Sequence, residues 1–80
     1  MAKAHEINLG TTEFNQLTNR DYIVLLSENI SVGDYILFKQ VETIEGETVE
    51  TGLFMMTHIK DIVKNEGLKD GYSIIVVNKL

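Results

Sequence analysis

The sequence predicts a mainly β domain of the α+β kind, a small β-barrel of five to six strands with one short N-terminal helix. Three observations carry this. Runs rich in β-branched and aromatic residues recur at short intervals, at residues 22–27 (YIVLLS), 35–41 (YILFKQV) and 72–77 (YSIIVV). Glycine, asparagine and aspartate separate them, and with no proline in the chain no corner is preset by a ring. Only residues 11–19 carry clear helical signals in place of strand signals.

Residues 4–9 read as a short strand. After Gly10, Thr11 or Thr12 is placed to cap free N–H groups, Glu13 sits in the electropositive first turn, and Asn19 suits a left-handed stop. Phe14 and Leu17 give this helix one apolar face. Two turns do not hold alone, so the helix is expected to plug one end of the sheet. The run at 22–27 is too apolar to alternate, which predicts a central strand covered on both faces. Residues 30–34 form the corner around which the chain is organised. There Gly33 is free to take a positive φ and Asp34 to bond its own backbone, so the flanking runs are expected to form a central hairpin. A second hairpin has its tip at Glu45-Gly46. Its return strand starts near Thr48 and continues through His58 and Ile59, with Gly52 marking a bulge or bend. Residues 60–65 fit a strand followed by a loop, with a helical turn as the alternative. Residues 67–71 make a tight connection into the closing strand.

Eighty residues make one domain, 1–80, with room for one core. No stretch approaches the roughly 20 apolar residues of a membrane span, and the first residues lack the apolar segment of a secretory signal. With no cysteine there is no disulfide framework and no thiolate metal site, and a cytoplasmic protein is expected. A net charge of −5 argues against a generic, charge-driven nucleic-acid binder, because that mode depends on lysines and arginines displacing counterions. The acids at Glu42, Glu45, Glu47 and Glu50 read as a solvated hairpin face rather than a cation site.

An ordered set of fragments spans nearly the whole chain: His5-Glu6-Ile7, a short helix, Val32-Gly33-Asp34, Thr51-Gly52, Thr57-His58-Ile59 and Gly67-Leu68-Lys69-Asp70-Gly71-Tyr72. Together they resemble the small bacterial and phage proteins of the ASCH type, in the PUA-like superfamily. The resemblance implies a PUA-like β-barrel with a cleft suited to RNA or a modified nucleotide. Proteins of this type carry a Gly-x-Lys-Thr-x-Glu-x-Arg stretch after the helix. Here Val24 and Leu26 stand where its acid and arginine would lie, and no lysine or threonine occupies the matching strand positions. An amidohydrolase remnant acting on a modified nucleoside is therefore the third reading.

The first reading is an RNA- or nucleotide-binding module, with Arg20 on phosphate, Tyr22 and His5 meeting a base, and Lys39 joining Arg20 and Lys3 in a small positive rim. Stacking a base on a tyrosine is worth about 1–3 kcal/mol. The second reading is a protein-interaction or structural subunit that has lost the charged cleft. Phe54, Met55 and Met56 put bulky groups on both faces of one strand, which is either covered on both sides or a surface for self-association. His5 and Glu6 are adjacent on a strand and point to opposite faces, so they form no dyad. His58 shares a phase with Phe54 and Met56. Two histidines without a supporting cluster predict no metal site, and no cofactor is expected. None of Ser27, Ser31 and Ser73 sits in a nucleophile elbow, so no catalytic residue is assigned.

Overall fold

The computed structural model describes residues 2–80; Met1, at the head of the segment screened for a signal, lies outside them. The elements run β1 (Ala4–Gly10), α1 (Thr11–Thr18), β2 (Tyr22–Leu26), β3 (Tyr35–Ile44), β4 (Glu47–Val63) and β5 (Tyr72–Lys79). All five strands belong to one mixed sheet in the order β1-β3-β4-β5-β2. β1 and β3 are parallel, and the other neighbours are antiparallel. The fold is mainly β with one short helix, as the sequence predicts. It differs from the predicted barrel in being open, since β1 and β2 are edges that do not pair with each other.

The expected central hairpin is corrected by this topology. Residues 22–27 and 35–41 do not pair: β2 joins β5 at one edge, while β3 lies between β1 and β4. Nor is β2 covered on both faces, for Ile23 and Leu25 turn towards the core while Tyr22, Val24 and Leu26 stay exposed. An apolar run specifies a strand but not which strand it pairs with. Here the corner spends its hydrogen bonds on β4: the Gly33 N–H donates to the Ile59 carbonyl (3.0 Å), and the Ile59 N–H donates to the Asp34 carbonyl (2.8 Å).

α1 ends as expected in extent but not in chemistry. Its N-cap is Gly10, with no side-chain cap from Thr11 or Thr12, and Asn19 has φ −106°, outside the left-handed region. Asn19 instead closes the helix through its N–H to the Gln16 carbonyl and its side-chain amide to the Asn15 carbonyl. Phe14 and Leu17 are buried with Leu9, Ile36, Phe38, Ile59, Ile75 and Val77, so the helix packs on β1 and β3 and fills part of the core that the open sheet leaves uncovered.

The β3–β4 hairpin has the tip foreseen. Glu45 and Gly46 both take positive φ, the pattern of the primed turns that match strand twist. Gly52 also has positive φ, at the irregularity where pairing passes from Lys39↔Phe54 to Val41↔Glu50. β4 continues as strand to Val63, which decides the strand reading for its end. Gly71, which enters β5, combines φ +84° with a Cβ position 3.0 Å from Leu26 Cδ1. Gly71→Ala is therefore expected to cost about 1–2 kcal/mol from the left-handed conformation alone. A urea midpoint unchanged from the parent would refute that geometry.

Candidate functional site

Two of the four site residues foreseen from the sequence are brought together, and two are engaged elsewhere. His5 lies on the inner phase of β1, and its Nε2 is 2.9 Å from Asp34 Oδ2. Asp34 is 4% exposed and also accepts the backbone N–H groups of Lys3 (3.0 Å) and Ser31 (3.1 Å). The His5 hydrogen bond first, then the Lys3 N–H, lower its pKa to about 2. This group clasps the start of β1 to the corner before β3. Among the described residues no hydroxyl is hydrogen-bonded to His5.

Lys39 lies on the outer face of β3. Its Nζ is 3.3 Å from Glu50 and 3.5 Å from Glu6, and these carboxylates, Glu50 foremost, raise its pKa. Glu6 thus faces outward to Lys39 while His5 faces inward, as their adjacency on a strand requires. Held beside two acids, Lys39 has its charge partly offset, which weakens it as a phosphate contact.

Arg20 and Tyr22 do meet, with the guanidinium carbon 5.5 Å from the ring centroid. With Glu13, Gln16, Leu17 and Val24 they line a groove of about 240 Å³ between α1 and β2. The groove holds one cation and one carboxylate, a weak field for an anion. Val24, standing where the resemblance places a charged side chain, gives the groove an apolar wall.

The outer face of the sheet is the larger feature. On β3 and β4 the opposed pairs are Tyr35↔His58, Leu37↔Met56 and Lys39↔Phe54. Phe54 is 69% exposed and borders, with Leu37 and Leu53, a second groove of about 260 Å³. The Tyr35 and His58 rings lie 4.9 Å apart on this face, with His58 half-buried. On β2 and β5 the outward pairs are Tyr22↔Val76, Val24↔Ile74 and Leu26↔Tyr72, with Val63 opposite Ile74 on β4. The first row was legible from Phe54 and Met56. The second was not, because the β2 run read as buried; the alternation of Ile23 and Leu25 with Tyr22, Val24 and Leu26 matters only once the partner strand is known.

Among the described residues no three His, Asp or Glu side chains converge as metal ligands, and no helix is long and apolar enough to cross a membrane. Fold and surface together define a small open-sheet β domain whose outer face carries two apolar rows, with Asp61, His58 and Asn78 between them. The sequence matches no protein-family model, and no curated protein matches it significantly.

Proposed function

We propose that the protein is an interaction module whose outer sheet face is covered by protein. The observation that carries this is the pair of outward apolar rows, with Phe54 69% exposed and Tyr22, Val24 and Leu26 each more than 40% exposed. Exposed apolar residues grouped in this way mark interaction sites. The net charge of −5 and the capture of Lys39 by Glu6 and Glu50 support the same reading. A second reading, an RNA- or nucleotide-like ligand in the α1–β2 groove, is favoured by the Arg20 guanidinium over the Tyr22 ring and by the resemblance to ASCH-type barrels.

A photo-crosslinking amino acid at Phe54 is expected to yield protein adducts in cells, and Met56→Asp, on the same outward face, to remove most of them. Labelled RNA titrated at about 50 and 200 mM salt tests the second reading. No protein adducts at Phe54, together with saturable, salt-sensitive RNA binding that Arg20→Ala weakens, would overturn the first reading in favour of the second.

A further inference from the structure

β2 closes the sheet on one side and, among the described residues, pairs with no strand on the other, where it borders the groove beside α1. The phase of its ladder is fixed at both ends, where the Val77 N–H donates to the Asp21 carbonyl and the Ser27 N–H to the Gly71 carbonyl, each at 2.8 Å. In an antiparallel ladder the bonds to one neighbour come from every second residue. The odd-numbered residues 21–27 therefore spend their backbone groups on β5. The N–H and carbonyl groups of Tyr22, Val24 and Leu26 point to the open side. Proline, bulge and inward charge, the devices that blunt an edge, are all missing from β2.

We infer that two copies of this chain pair through β2, antiparallel about a two-fold axis at Val24, placing Arg20 of each copy against Glu28 of the other. This rests on the interaction reading above and names one occupant for the β2 side of the surface. In this register Tyr22 opposes Leu26 of the second copy and Val24 opposes its counterpart, so the open backbone groups form three hydrogen-bonded pairs. On the inner face Ile23 opposes Leu25 of the second copy, next to the groove floored by Leu17.

Two independent features favour a second copy over another partner. The first is charge: Arg20 and Glu28 are both exposed, carry opposite signs, stand equally far from Val24, and form no ion pair among the described residues. Arg20, whose N–H donates to the Leu17 carbonyl, and Glu28, in the turn after Ser27, lie just beyond the two ends of the strand, and a two-fold axis at Val24 brings those ends together twice, as an isologous interface requires. The guanidinium already lies over Tyr22, the residue opposed to Leu26 of the second copy, two positions from its Glu28. The second is composition. All five residues 22–26 are apolar, so pairing with a second β2 sets Ile23 beside Leu25 of the second copy on the inner face and joins the outward apolar residues of β5, β2, β2 and β5 into one row, which the pairing itself leaves uncovered.

Sedimentation velocity of the full chain over a wide concentration range tests this, alongside circular dichroism to verify folding. The expected species has twice the 9.0 kDa chain mass. Arg20→Glu and Glu28→Arg should each raise the dimer dissociation constant by about tenfold or more, because each creates two like-charge pairs, and the double exchange should restore it. Val24→Pro, which deletes an N–H on the open side and leaves the β5 ladder intact, should give a folded monomer. A monomer at all concentrations, or a dimer that neither reversal weakens, overturns the proposal. If protein adducts still form at Phe54 in that case, the interaction reading stands without it; if they too are absent, both fail.

Discussion

Phe38→Ala is expected to remove about 3–5 kcal/mol of stability, the range for deleting a fully buried aromatic side chain. Phe38 has no exposed surface and sits on the interior strand β3, within one core that also holds Leu9, Leu17, Ile36, Ile59, Ile75 and Val77. A chain of this length has a total stability of roughly 4–12 kcal/mol, so the variant sits near the edge of folding. Urea denaturation should show a much lower midpoint with little change in slope. A loss below about 1 kcal/mol would mean that Phe38 is not where the inner face converges. Phe54→Ala, with an exposed ring, is the contrasting substitution and should leave the midpoint nearly unchanged.

The Asp34 clasp has the second large effect, and it depends on pH. The folded carboxyl binds its proton near pH 2, against a reference value of 3.8. Between these values the unfolded chain holds more of that proton than the folded one. The stabilisation is therefore complete above about pH 4 and is lost as the pH falls through 2. Asp34→Asn keeps the shape but removes the charge that accepts the Lys3 and Ser31 N–H groups and faces His5. It should be clearly less stable than the parent at neutral pH, with the gap closing towards pH 2. A gap of constant size from pH 6 to pH 2 would show that the carboxylate does not hold the corner.

Much of the local structure was legible from the residues. Glu45-Gly46 marked its own turn, Gly52 its irregularity, and Phe14 with Leu17 the buried face of α1, because these signals depend on neighbours in the chain. Pairing was not legible in the same way. Nothing within residues 22–26 distinguishes a strand that joins β3 from one that crosses to β5, and the misplaced hairpin follows from that. The candidate site divides along the same line. Arg20 and Tyr22 are two residues apart and meet, whereas the fates of His5 and Lys39 depend on Asp34 and Glu50, brought in by sheet register. The apolar run at β2 did carry information: it marks a strand that is apolar on both faces, of which the chain turns only the Ile23 and Leu25 face to its core.

The separation between β2 and its in-chain partner also sets a timetable. Ser27 and Ser73, whose hydroxyls lie 2.8 Å apart at the end of the β2–β5 pair, are 46 residues apart in the chain. At about 5–20 residues per second of synthesis, β2 emerges roughly 2–10 s before β5 exists to receive it. The β3–β4 hairpin, joined by a two-residue turn, has no such wait. The most apolar short strand of the protein thus spends seconds beside the ribosome with both of its edges open, where the β2 of a neighbouring nascent chain is as near a match as its own β5.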